Sequence, residues 1–127
     1  MLHKTVEEHA FSTLHKLVSH PGQSLILRTQ DIITMVHTHE IIRCEGESGY
    51  TTFYFLNKES MLVSKGLSYF EDKLIPFGFF RTHQSHIINL RMFDTYYRKD
   101  ETILLRNDDL VPLATRRKES FMLILRN

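Results

Sequence analysis

The chain has 127 residues, 42% hydrophobic and 24% charged, which suits one ordinary globular domain. A single cysteine excludes a disulfide framework and a multi-cysteine zinc site, no run approaches the ~18 apolar residues of a membrane span, and Met1 to His20 lacks the apolar block of a signal peptide, so the expected compartment is the cytoplasm. The net charge of +1 is not the basic balance usual for a nucleic-acid binder, but residues 1–80 carry seven basic and nine acidic groups while residues 81–127 carry nine and six, so an anion-binding surface should draw on the C-terminal third.

Residues 4–19 read as an amphipathic helix, with Val6, Ala10, Leu14, Leu17 and Val18 at spacings of three and four. Pro21-Gly22 ends it, because proline cannot continue the helical bonding. Beyond that point the pattern is one of short strands. Ser24 to Thr29 and Ile32 to His37 flank a turn at Gln30-Asp31, and Ile41 to Glu45 continues the alternation. Glu47-Ser48-Gly49 supplies a loop, and Thr51 to Leu56 pairs with Ser60 to Ser64 across Asn57-Lys58-Glu59. Gly66 to Leu74 is predicted helical, with Leu67, Phe70 and Leu74 on one face. Phe79 to Leu90 reads as an irregular polar–apolar stretch. Thr95 to Lys99 and Thr102 to Arg106 form a hairpin over Asp100-Glu101, and a short strand surrounds Val111. Thr115 to Leu125 ends the chain as a helix with Phe121, Leu123, Ile124 and Leu125 inward. The sum is a mainly β architecture with small peripheral helices.

No constellation supports an enzyme. There is no phosphate-binding glycine loop, since Gly46-Glu47-Ser48-Gly49 lacks its lysine, and no serine sits in a nucleophile elbow. Cys44 falls in a strand, where an apolar buried role is expected. His83 and His86 have a helical ligand spacing, but no carboxylate or cysteine completes a metal site around them. No cofactor is implied.

Three segments stand out. In Phe79 to Leu90, two aromatics and Ile87-Ile88 pin a donor-rich run of Arg81, His83, Gln84 and Ser85, which suits phosphates and base edges but equally suits a solvated loop with an Arg–carboxylate contact. Arg116-Arg117-Lys118 opens the last helix, where cations oppose the helix dipole and a use other than helix stability is suggested. Glu45 to Tyr50 is a flexible loop ending in a tyrosine.

Together these segments resemble the LytTR family, the DNA-binding output domain of many bacterial response regulators. The resemblance rests on Ile41 to Thr52, Leu62 to Leu67, the Phe-Phe-Arg-x-His-x-Ser-x-Ile-x-Asn core of Phe79 to Asn89, and Val111 to Lys118, in that order. It implies an elongated, mainly β fold of short antiparallel strands over residues 23–127, preceded at residues 1–22 by a helical linker to a receiver domain that this chain lacks. It implies binding to duplex DNA by loops, as dimers on direct repeats, in successive major grooves. Carried over, base-reading positions fall at Tyr50, Gln84 and Arg116. Backbone contacts fall at Ser64, Lys65, Arg81, His83, Ser85 and Arg117. Asn89 is expected to cap the turn at Leu90 to Met92. The tyrosine at 50 and the glutamine at 84 depart from residues common in the family, so site preference should differ. The competing reading of a different class is a histidine-rich protein-interaction or metal-sensing module.

Overall fold

The computed structural model describes residues 24–126, so the expected helix at 4–19 lies outside the described residues. Among these residues ten strands form three antiparallel sheets. β1 (Ser24–Arg28) and β2 (Ile33–His37) make a two-stranded ribbon. β3 (Ile41–Glu47), β4 (Tyr50–Phe55), β5 (Met61–Val63), β6 (Phe79–His83) and β7 (His86–Asn89) make the central sheet, in the order β5-β4-β3-β7-β6. β8 (Phe93–Tyr97), β9 (Thr102–Leu105) and β10 (Leu110–Pro112) make the third, in the order β10-β9-β8. Among the described residues two α-helices, α1 (Leu67–Leu74) and α2 (Lys118–Ile124), accompany the sheets.

The central sheet is covered on both faces, which explains its sequence pattern. Neighbouring residues on one strand point to opposite sides. Ile41, Ile87 and Phe79 therefore enter one core, with Leu27, Val36, Phe53, Phe70 and Leu74, while Ile42, Ile88 and Phe80 enter the other, with Ile103, Leu105, Val111 and Phe121. The expected face of α1 is the one that packs: Leu67, Phe70 and Leu74 are buried, and Phe70 meets Phe53 edge-on at 4.8 Å. Cys44 is fully buried on β3, and burial pushes its thiol well above the usual range, as an apolar role requires.

Three readings need correction. Glu45 to Tyr50 is not a flexible loop: Glu45-Gly46-Glu47 ends β3 and Tyr50 begins β4, with Glu47 opposite Tyr50 across the two-residue turn Ser48-Gly49. Phe79 to Leu90 is a regular hairpin, β6 and β7, and not an irregular stretch; a bulge between Arg81 and His83 shifts the register within it. The C-terminal segment is not one helix. Thr115–Arg117 is a 3₁₀ turn, and the α-helix starts at Lys118. Phe121 is buried from it, but Leu123, Ile124 and Leu125 are exposed rather than inward. The Asn89 expectation holds. Its Oδ1 accepts from the Arg91 N–H at 3.0 Å, capping the 3₁₀ turn Leu90–Met92, while its Nδ2 donates to the Ile41 carbonyl at 2.9 Å. Among the described residues no helix is long and apolar enough to cross a membrane.

Candidate nucleic-acid interface

The sequence-predicted positions gather along one edge of the central sheet. β3 and β4 are joined by Ser48-Gly49, both with positive φ (50° and 83°), the signature of a type I′ turn. Glycine meets that geometry at position 49 without steric cost. Tyr50 is the first residue after it. β7 pairs antiparallel with β3, Glu45 opposite His86, and the Gly46 N–H donates to the Ser85 carbonyl at 2.9 Å. The β6–β7 turn, Gln84-Ser85, thus sits beside the β3–β4 turn. On the far side of β4, Thr51 stands opposite Val63, so Ser64 and Lys65 follow β5 at the same edge. On the far side of β7, the Ala114 N–H donates to the Thr82 carbonyl of β6 at 2.8 Å, which docks the Thr115–Arg117 turn there. The edge therefore runs Lys65, Tyr50, Gln84, Arg116. Neighbouring strands lie about 4.8 Å apart, so five of them span about 19 Å.

Within the edge, the protein uses side chains of one kind to fix the turns and leaves those of another kind free. Arg81 belongs to the first kind. Its Nε donates to the His83 carbonyl at 3.2 Å and one Nη to the Gln84 carbonyl; the other Nη donates to Ser68 Oγ at 3.0 Å and to Glu71 Oε1 at 2.8 Å. Its side chain is only 11% exposed. Arg81 therefore bolts the Gln84 turn to α1, and the Arg–carboxylate contact weighed from sequence is present. His83 also serves the turn: its Nδ1 accepts from the Ser85 N–H at 3.0 Å. With Nδ1 an acceptor, the neutral ring carries its proton on Nε2, which remains a donor.

The second kind comprises Tyr50, Ser64, Gln84, Ser85 and Arg116. None of their side-chain polar heads has a hydrogen-bond or ion-pair partner among the described residues, and Tyr50, Ser64, Gln84 and Arg116 are exposed. Lys65 lies over the Tyr69 ring at 5.2 Å and has no carboxylate partner among the described residues. Arg117 is half-buried and its Nε is without a partner among them. Lys118, the third cation of that run, is spent inside the fold on Glu101, whose carboxyl it holds below its ordinary value. Arg117 and Lys118 still stand at the helix N-terminus, as its cap and first residue, and the Glu101 carboxylate offsets the charge of Lys118 there.

Between the two hairpin turns lies an open cleft of about 610 Å³, lined by Tyr50, Gln84, His83 and Ser85 together with Glu45 and Glu47. The two carboxylates went unremarked in the sequence. Glu45 is paired with Arg43 at 2.9 Å, but Glu47 is exposed and has no ion-pair partner among the described residues; a carboxylate there repels phosphate and accepts from an amino group such as cytosine N4. Two supporting residues also escaped sequence reading. Buried Thr51 donates its hydroxyl to the Lys65 carbonyl at 2.7 Å, fixing the Ser64–Lys65 segment. Gly46 lets α1 approach β3, since a Cβ there would lie 2.9 Å from Leu67 Cβ. Neither carries a local signal, because each matters only through a partner distant in sequence.

The histidines do not converge on a metal geometry: among the described residues no group of three His, Cys, Asp or Glu side chains is placed to hold one. The His83 and His86 rings are 5.6 Å apart. His86 is pushed below the ordinary histidine value, by burial first and by Arg43 and His83 further, against the pull of Glu45.

The site is thus an antiparallel β domain that presents two hairpin turns and a basic 3₁₀ turn along one sheet edge. Residues 31–126 match the profile of the LytTr DNA-binding domain, and the chain belongs to that family. Its fold is also that of a chain described as the LytTr DNA-binding domain of a methyl-accepting/DNA response regulator from Bacillus cereus. The two superpose with a TM-score of 0.69 at 21% identity, over 83% of this chain and 98% of that one. No match emerges among curated protein sequences.

Proposed function

We propose that this domain binds duplex DNA sequence-specifically through the β3–β4, β6–β7 and Thr115–Arg117 turns, and that it is the output module of a two-component regulator controlled by a receiver domain joined through residues 1–22. The observation that carries the reading is the sorting of side chains along one edge. Arg81, His83 and Thr51 stiffen the turns, while the polar heads of Tyr50, Gln84, Ser85 and Arg116 are left for a ligand. Pre-organised donors of this sort lower the cost of ordering on binding.

The order along the edge refines the roles. Tyr50 and Arg116 stand on either side of Gln84. If the outer two enter successive major grooves, Gln84 faces the minor groove between them. Arg116 then reads guanine O6 and N7, and Tyr50 meets a base in the other major groove. Gln84 donates to adenine N3 or thymine O2, separating A·T from G·C but not A·T from T·A. Ser64, Lys65, His83 through Nε2–H, Ser85 and Arg117 contact the sugar–phosphate backbone; Arg81 belongs to the same interface by holding the Gln84 turn. Two copies on direct repeats make the functional unit.

Selection of bound sequences from a random duplex pool tests the reading. Arg116→Ala should cost about 1–3 kcal/mol and relax one base position, whereas Lys65→Ala should weaken all sequences alike and flatten the salt dependence by about 0.9. No enriched sequence, together with an inert Arg116→Ala, would overturn it.

A further inference from the structure

The β1–β2 hairpin brings a fourth turn to the same end of the molecule. Arg28, Thr29 and Gln30, at the end of β1 and the start of its turn, line a cleft of about 410 Å³ whose other wall is Ser64 and Lys65. Its floor is apolar, formed by Ile26, Val63 and Phe70, and no carboxylate lines it. Asp31, at the turn apex, is not among its walls. Arg28 is exposed and has no ion pair among the described residues; the same is true of Lys65. The turn is held in shape by Thr29, whose Oγ1 accepts from the N–H groups of Asp31 at 3.2 Å and Ile32 at 3.1 Å. The contrast with the cleft between Tyr50 and Gln84 is chemical. That cleft holds two carboxylates and an arginine saturated by protein acceptors, whereas this one is lined by two cations, Arg28 and Lys65, with no carboxylate partner among the described residues.

We propose that Arg28 is a further DNA-contacting residue, completing with Lys65 a clamp on two adjacent backbone phosphates, its own lying beyond the Tyr50 contact, on the side away from Arg116. This rests on the proposed edge reading. It lengthens the footprint of one domain by a contact outside the three base-reading turns, supplied by the two-stranded ribbon. The occupant is the phosphodiester backbone of the bound duplex, for three reasons. The cleft is continuous with Ser64–Lys65 at the end of the edge. Its charge is complementary to phosphate. The guanidinium fork suits phosphate oxygens.

The test uses Arg28→Gln and, as a matched loss of one charge, Lys73→Gln. Lys73 is exposed on the same side of α1, over the Tyr69 ring at 4.9 Å, but does not line the cleft. Dissociation constants are measured against salt on the selected duplex, and on duplexes shortened from either end. The expected result is a salt slope shallower by about 0.9 for Arg28→Gln, equivalent to about threefold to fourfold over a fourfold rise in salt, with Lys73→Gln at wild-type slope. Shortening the duplex on the Tyr50 side should abolish the difference between wild type and Arg28→Gln; shortening on the Arg116 side should not. Urea midpoints equal to wild type confirm that both variants fold. If Arg28→Gln and wild type share one slope while Arg116→Ala still loses binding, the clamp is refuted and the edge reading stands. If the wild-type domain selects no duplex and Arg116→Ala changes nothing, the edge reading fails, and the clamp with it.

Discussion

Arg81→Met separates two roles that an arginine at a DNA-facing edge can have. Methionine keeps the apolar stem and removes the guanidinium. The loss comprises bonds to two turn carbonyls, Ser68 Oγ and Glu71, the last at 2.8 Å with side chains 11% and 21% exposed. Breaking a buried pair by deleting one partner costs about 3–5 kcal/mol, and water reaching Glu71 reduces that here to about 2–3 kcal/mol. Equilibrium urea unfolding should show the midpoint falling with an unchanged m-value. A cycle with Glu71→Gln should give a coupling of about 1 kcal/mol or more. On DNA, a residue that acts by holding Gln84 changes discrimination at the central position while the salt slope stays at its wild-type value. A residue that faces a phosphate does the reverse: stability holds within about 0.5 kcal/mol and the slope drops by about 0.9. The second pattern would refute the positioning argument.

Two further predictions concern the supports of the edge. Gly46→Ala places a methyl 2.9 Å from Leu67 Cβ, an atom fixed to the start of α1, so it should destabilise by about 1–3 kcal/mol in thermal unfolding; Gly66→Ala, with no atom within 4 Å, should cost under about 1 kcal/mol. Asp109 is partly buried, which alone would raise its carboxyl, but its bond to Arg43 Nε at 2.8 Å outweighs this and holds it below the ordinary value. Its contribution to stability is therefore complete above the unfolded value of about 3.9 and is lost as pH falls through the folded one. Asp109→Asn should be less stable than wild type at neutral pH, with a gap that closes on acidification below about pH 4, followed by urea unfolding.

What was legible in the sequence depended on whether one face of an element meets water. The Leu67, Phe70 and Leu74 stripe was readable because the opposite face of α1 is polar and exposed. The turns at Gln30-Asp31 and Ser48-Gly49 announced themselves by residue type. β6 and β7 did not, because both faces of the central sheet are covered: Phe79-Phe80 and Ile87-Ile88 send adjacent apolar side chains into opposite cores, which destroys alternation. Arg81 compounds this. A charged residue in a strand looks like a loop residue until its partners, ten residues or more away on α1, are known. The chemistry of the edge was visible as residue types, but which cations were free and which were bolts depended on long-range pairing. Leu123, Ile124 and Leu125 misled for a related reason: apolar character marks a helix face only if the helix lasts long enough to have one, and α2 has seven residues.

The pairing of charges in the fold bears on binding strength more than their near-neutral total does. Arg43 is neutralised by Glu45 and Asp109, Arg81 by Glu71, Lys58 by Glu40 and Lys118 by Glu101. The three one-to-one pairs contribute little to the field felt by an approaching polyanion, and Arg43 with its two carboxylates leaves one negative charge. Lys65, Arg116 and Arg117 are the cations of the proposed edge without such a partner among the described residues, with Arg28 beside them. At physiological salt the screening length is about 8 Å, so DNA seated on the edge senses these few charges far more than the distant ones that fix the sum. Three or four phosphate contacts give a salt slope of about 3 per domain, well short of the 6–10 contacts of strong electrostatic binders. A single domain therefore holds an arbitrary duplex weakly. On the proposed reading, tight and selective occupancy comes from base contacts at Tyr50, Gln84 and Arg116 and from a second copy on the adjoining repeat, whose binding becomes effectively intramolecular once the first is seated.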